Sequence, residues 1–229
     1  SDVAQFAQLI NQLDTEKGEF TPFQRDYFTY LQTFLISLSG KFTEGIAQYQ
    51  QLINTTRFDD IRYRALYSII NNYAVNRDFY NGSVYMERLS AMRDSIDDSS
   101  LLAQGDLTVG LFYTASGQYQ LGYEQADLLL SRQLKPRNEC LARHMKVEAF
   151  VLDTSLSVDE PFMDDAIAFC SPHGELLYAA FVTSNKVRHL IDSKRLDQAQ
   201  QTLTTISDAV IASQYSRIMA QYYQLDAEI

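Results

Sequence analysis

One six-residue pattern limits what this chain can fold into. A small or polar residue is followed by a polar one, an aromatic, two further residues and then Gly. It reads Gly40-Lys41-Phe42-Thr43-Glu44-Gly45, Arg77-Asp78-Phe79-Tyr80-Asn81-Gly82 and Gly117-Gln118-Tyr119-Gln120-Leu121-Gly122. Phe42 and Phe79 are 37 residues apart, Phe79 and Tyr119 are 40 apart, and a looser copy, Lys194-Arg195-Leu196-Asp197-Gln198-Ala199, follows later. Behind each copy lie apolar or small residues at matching offsets: Tyr49 and Leu52, Met86 and Leu89, Ala126 and Leu129, Leu203 and Ile206. Ahead of the first copy, Tyr27, Leu31, Phe34, Leu35 and Leu38 take the spacing of one helix face, as do Leu66, Ile69, Ile70 and Tyr73 ahead of the second. Helix, tight turn, helix at this period predicts an α-hairpin repeat. The small residue (Gly45, Gly82, Gly122, Ala199) is expected where the second helix crosses the first. The aromatic (Phe42, Phe79, Tyr119) is expected to plug the open end. Gly40 and Gly117 are expected to make the turn itself.

Composition agrees. Nine Gly and four Pro in 229 residues leave room for long helices and few tight turns. The balance of 19 basic against 29 acidic residues, a net charge of −10, lacks the basic patch that phosphate neutralisation requires, so nucleic acid is not an expected partner. No apolar run reaches the length of a membrane span. The expected architecture is all-α and a single domain of about five hairpins. Its units are residues 1–19 (an N-terminal helix), 20–56, 57–98, 99–135, 136–173, 174–211 and 212–229 (a last helix without its partner). The start at Ser1 and the helical stretch running to Ile229 suggest a piece excised from a longer protein.

The fourth unit has no Gly turn. Its helices are expected at residues 138–152 and 162–170, joined by residues 153–161. Cys140 and Cys170 lie equally far from Ser155, the middle of that connection, so two antiparallel helices would set them side by side. That favours a disulfide, and with it an oxidising compartment. The alternative is two buried thiols acting as small apolar fillers.

Chemistry-bearing motifs are sparse. Cys140 and His144, four apart, are the one suggestive pair for a metal or a nucleophile. Neither a third ligand nor an orienting group accompanies them, and no metal or cofactor is expected. His173 and His189 stand apart. A nucleophile elbow, a phosphate-binding loop and a dinucleotide fingerprint are absent, so no catalytic residue is assigned. The cluster Asp159, Glu160, Asp164 and Asp165 offers cation ligands, but the favoured reading sets Asp159 and Glu160 at a helix start, with Pro161 in the first turn. The tyrosines are the better clue, with 15 of them and no Trp. On first helices they offer a rigid apolar body with a polar tip. The candidate groove residues are Tyr30, Tyr63, Tyr67, Asn71, Asn72, Phe112 and Tyr178, with Arg62, Arg64 and Lys146 as anion contacts. Hairpin packing is the competing role for each.

Val109-Gly110, Tyr113, Gly117-Gln118-Tyr119 and Gly122 follow the order of the tetratricopeptide repeat, which the chain resembles over about residues 22–206. The resemblance implies a right-handed α-α superhelix. The absence of Trp, Gly in place of Ala at three crossings, and the longer period depart from it. The run Phe20-Thr21-Pro22-Phe23-Gln24-Arg25-Asp26-Tyr27-Phe28, then Arg62-Tyr63-Arg64-Ala65-Leu66, Cys140-Leu141-Ala142-Arg143 and Ala166-Ile167-Ala168-Phe169-Cys170 resemble the N-terminal sensor region of tetratricopeptide-containing diguanylate cyclases of Gram-negative bacteria. That resemblance implies a periplasmic, non-catalytic domain of an inner-membrane protein, with the GGDEF catalytic domain outside these residues. Its partner would be a peptide, protein or small molecule on the concave face, with a homodimer possible. A cytoplasmic adaptor and a peptide-binding regulator remain the alternatives.

Overall fold

The computed structural model describes residues 2–153, 155–156, 158–213 and 216–229. Among these every regular element is helical and no strand occurs. The chain divides into two compact units, residues 1–116 and 117–229.

The first unit holds α1 (Asp2–Glu16), α2 (Pro22–Leu38), α3 (Phe42–Thr55), α4 (Asp59–Val75), α5 (Phe79–Ala91) and α6 (Ser99–Ala115), with 3₁₀ turns at Lys17–Glu19 and Arg93–Ser95. Local chemistry sets the starts. Thr21 and Gln24 form a reciprocal capping box ahead of Pro22 at the first turn of α2. Asp78 caps α5 and Asp98 caps α6. The expected turns are present at the expected residues. Gly40 and Arg77 both take the left-handed conformation, φ 83° and 57°. Each closes its helix with the same pair of bonds: Gly40 and Lys41 N–H donate to the Ser37 and Ile36 carbonyls, and Arg77 and Asp78 N–H to those of Ala74 and Tyr73. This is the Schellman closure, and Arg77 adopts it without the Cβ-free advantage of Gly40.

The core is centred on α4, which packs against α2, α3, α5 and α6. Ile61, Tyr63, Ala65, Leu66, Ile69 and Ile70 are all buried, covering most of its circumference. The crossing glycines have a second cause beyond the one the sequence indicates. A Cβ on Gly45 would meet Ser37 Oγ at 2.3 Å and Asn72 Nδ2 at 3.2 Å, so both the preceding helix and α4 press on it. A Cβ on Gly82 would meet the Phe112 ring at 2.3 Å. Asn72 and Phe112 hold the same place, five residues before Arg77 and Gly117. Each glycine therefore receives a side chain from the first helix of the following hairpin. Phe79, the turn aromatic, packs edge-on against Phe112 with centroids 5.6 Å apart. Gly105, which the motif reading does not single out, lies directly over Tyr63, whose ring and hydroxyl approach within 2.2–2.8 Å of where a Cβ would stand.

The second unit holds α7 (Tyr119–Leu130), α8 (Pro136–Leu152), α9 (Glu160–Cys170), α10 (Leu176–Asp192), α11 (Leu196–Thr204), α12 (Ser207–Ser213) and α13 (Ser216–Glu228). Here α10 is central, packing against α8, α9, α11, α12 and α13. Lys194 takes φ 60° and repeats the turn closure, its N–H donating to Ile191 O and that of Arg195 to Leu190 O. Ala199 and Leu203 behind it are fully buried. A further copy, Gly174-Glu175-Leu176-Leu177-Tyr178-Ala179, makes the same turn between α9 and α10, with Gly174 at φ 77°. It has the form of the looser copy at Lys194, with Leu176 in the aromatic place and Ala179 in place of Gly. The C-terminal stretch is not a helix without a partner. In α13, Ile218 and Leu225 are buried in the core that includes Leu190 and Leu203. Gln214 and Tyr215, the start of that expected helix, lie outside the described residues.

Cys140 on α8 and Cys170 on α9 form a disulfide, with Cα atoms 5.6 Å apart and a sequence separation of 30. Both are fully buried beside Ala179, so the thiol-filler alternative is set aside.

Two outcomes test this packing. Gly82→Ala should cost about 1–3 kcal/mol by overpacking against Phe112, and adding Phe112→Leu should recover part of it in urea unfolding; additive losses would contradict the plug. Reduction of the disulfide should lower stability by about 3–4 kcal/mol for a loop of this size, read as a fall in thermal midpoint with dithiothreitol that a Cys140→Ala/Cys170→Ala variant no longer shows.

Candidate functional site

Within each unit two alternate helices run side by side in the same direction, α2 with α4 and α8 with α10. Arg64 Cζ on α4 lies 5.5 Å from the Tyr27 ring on α2, and the Tyr30 hydroxyl donates to that of Tyr67 at 3.4 Å. Asn72 Nδ2 donates to Ser37 Oγ at 2.9 Å. Contacts that advance along both helices together, at an offset near 37 residues, require α2 and α4 to be parallel. In the second unit His144 on α8 stacks on Phe181 of α10, and Phe150 meets His189, which is the same direction at nearly the same offset.

On α2 this leaves a row of aromatics at i, i+4, i+7 and i+11: Phe23, Tyr27, Tyr30 and Phe34. Neighbouring rings are nearly parallel, with interplanar angles of 10°, 18° and 17° and centroids 5.9–6.4 Å apart. Phe23 and Phe34 are exposed at 42% and 37%, Tyr27 and Tyr67 are half-buried, and Tyr30 is buried. The Tyr30 hydroxyl also lies 3.2 Å from Ser68 Oγ. Burial pushes the Tyr30 phenol well above its ordinary pKa, and that of Tyr49 beneath it up to about 12. Both phenols stay protonated at neutral pH.

The structure thus gathers Tyr30 and Tyr67, with Tyr27 and Arg64, on one face. Other groove candidates lie elsewhere. Tyr63 is fully buried over Gly105, its hydroxyl pushed up to about 12 by burial, and cannot line a surface. Asn72 and Phe112 are the side chains seated at Gly45 and Gly82. Arg62 braces the start of α4, donating to Asp59 Oδ1 and the Thr56 carbonyl at 2.6 Å each. Asn71 is exposed. In the second unit Lys146 is held by Asp127 at 2.5 Å and sandwiched between the Tyr123 and Phe162 rings. Tyr178 lies under Arg137 beside the disulfide. Phe23 and Phe34 are absent from the groove candidates the sequence offers, although Phe34 shares with Tyr27 the helix face read from it. The i, i+4, i+7, i+11 spacing of the four aromatics carried the signal.

Catalytic and metal readings find no support in the geometry of their candidates. Cys140 is committed to the disulfide, which removes it from any pairing with His144. Asp159 caps α9, Glu160 pairs with Arg195, and Asp164 pairs with Lys186. Among the described residues no group of three His, Cys, Asp or Glu side chains converges on a point where a metal could sit. An apolar cavity of about 250 Å³ lies between Leu176, Leu177, Ala180, Val210 and Ile218, with no charged side chain in its wall.

His144 is buried, with its Nδ1 unpartnered and Nε2 3.6 Å from Glu148, which Arg217 also engages at 3.0 Å. Burial holds its pKa below the ordinary value, Glu148 opposing and Arg217 reinforcing the shift. The unfolded chain therefore binds the proton first, and this group's contribution to stability is complete above pH about 6.5 and is lost as pH falls below it. Between pH about 7.5 and about 5.5 the loss should reach up to about 1.4 kcal/mol. Urea unfolding of the native chain and of His144→Gln at both pH values should show the dependence shrinking in the variant; an unchanged dependence would contradict the assignment.

Comparison of the chain with protein-family models, with curated proteins and with solved structures gives no match.

Proposed function

We propose that this chain is a non-catalytic ligand- or protein-binding sensor region, the periplasmic part of a membrane-bound diguanylate cyclase, built as a solenoid of α-hairpins. The observation that carries the reading is the aromatic face formed by α2 and α4, where parallel first helices place Phe23, Tyr27, Tyr30, Phe34, Arg64 and Tyr67 together. Rigid aromatic bodies with polar tips favour recognition at low entropic cost. Three further observations support it. The hairpin turn recurs at Gly40, Arg77, Gly117 and Lys194 with positive φ. The Cys140–Cys170 disulfide suits an oxidising compartment. No helix among the described residues is long and apolar enough to cross a membrane, so a span, like the GGDEF active site, would lie elsewhere in the parent.

In this account a ligand on the first-helix face shifts the curvature of the hairpin stack or the geometry of a dimer. The membrane helix passes that change to the catalytic domain. The test is the gene beyond Ile229 together with the thiol state of the chain recovered from cells. An apolar helix followed by a GGDEF domain, with Cys140 and Cys170 linked under non-reducing mass spectrometry, is expected. A further repeat with no span, or free thiols, contradicts the proposal.

A further inference from the structure

Arg64 indicates what chemistry the aromatic face accepts. Its guanidinium lies over Tyr27 and beside the Tyr67 hydroxyl, partly buried on α4. Among the described residues it enters no ion pair. Other cations outside ion pairs, Arg25, Arg57, Arg77, Arg88, Lys135 and Lys194, are exposed, where water compensates them. Arg64 is half-desolvated without a carboxylate in a chain that has 29 Asp and Glu residues. Supply of carboxylates therefore does not explain the gap. A guanidinium removed from bulk water interacts more strongly with an anion than an exposed one does, and its planar fork matches a carboxylate bidentately.

The surroundings narrow the anion. The next cation along α4, Arg62, is already engaged by Asp59 and the Thr56 carbonyl. Arg57 lies over Phe58 at the Phe23 end of the row and is exposed. Among the described residues Arg64 is thus the one partly buried cation in contact with Tyr27. A single desolvated charge suits a monoanion better than a phosphate dianion. The nearly parallel rings of Phe23, Tyr27, Tyr30 and Phe34, the outer two well exposed, suit a flat apolar body.

We propose that Arg64, Tyr67 and the α2 aromatic row form a binding site for a small planar organic carboxylate. The carboxylate lies on the Arg64 fork and the ring of the ligand lies along Tyr27 and its neighbours. This rests on the reading of the α2–α4 face as a ligand face and adds its ligand class.

The test is calorimetric titration of the full chain with benzoate, benzamide and acetate. Benzoate should bind saturably, with benzamide and acetate each at least about tenfold weaker, because one lacks the charge and the other the ring. Arg64→Gln should weaken benzoate at least about tenfold, while Arg88→Gln, an exposed arginine outside any ion pair, should leave it unchanged. Raised salt should weaken benzoate in the native chain only. Should Arg64→Gln fail to fold by circular dichroism, Tyr27→Leu serves in its place, with loss of benzoate binding expected. Equal affinity for benzoate and benzamide overturns the anion assignment while leaving the ligand-face reading standing. Absence of saturable benzoate binding, or benzoate binding unaffected by the Arg64 or Tyr27 change, overturns the site.

Discussion

The packing of the first unit depends on one contact repeated: a side chain from the first helix of one hairpin seated on the glycine of the hairpin before it. Asn72 does this at Gly45 and Phe112 does it at Gly82. Because Asn72 and Phe112 hold the same place relative to their own turns, the contact fixes the axial register between successive hairpins. Parallel first helices at an offset near 37 residues follow from it. So does the burial of α4 on nearly every side, since both neighbouring hairpins close over it. A first helix so enclosed cannot be amphipathic in the ordinary sense. Its polar residues must find partners inside, as Ser68 does with Tyr30 and Asn72 with Ser37.

That enclosure explains which parts of the fold were legible in the sequence. The turn motif was legible because a left-handed residue and a small crossing residue are strong local demands, met at Gly40, Arg77, Gly117 and Lys194. The cysteine pair was legible because equal distance from a turn is a geometric statement about two antiparallel helices. Gly105 was not, because its reason lies in Tyr63, 42 residues away, and in no local pattern. The turn at Gly174 was as legible as the one at Lys194, with which it shares Leu in the aromatic place and Ala at the crossing, and its backbone closes as the others do.

The candidate face was legible only in part, for a related reason. A tyrosine on a first helix has two possible destinations, the seam with the next hairpin or the remaining outer strip, and sequence spacing separates them only by one helical step. Tyr63 falls in the seam and Tyr67, four residues on, reaches the strip. Asn71 and Asn72 divide the same way. The three cations expected as anion contacts of the groove divide as well: Arg62 is taken up by the Asp59 carboxylate and Lys146 by that of Asp127. Arg64 kept to the aromatic face without one, and that exception gives the face a chemical preference.

The parallel register of successive first helices is the claim on which the face, the plugs and the buried polar contacts all stand. Nitroxide labels at Phe34 and Asn71, compared with labels at Phe23 and Asn71, measure it directly. Phe34 and Phe23 share one face of α2, separated along its axis by about 16 Å at the usual helical rise. The parallel register predicts strong dipolar broadening for Phe34 with Asn71, as between helices packed about 8–10 Å apart, and markedly weaker coupling for Phe23 with Asn71. The reverse order, or equal coupling in the two pairs, would contradict it.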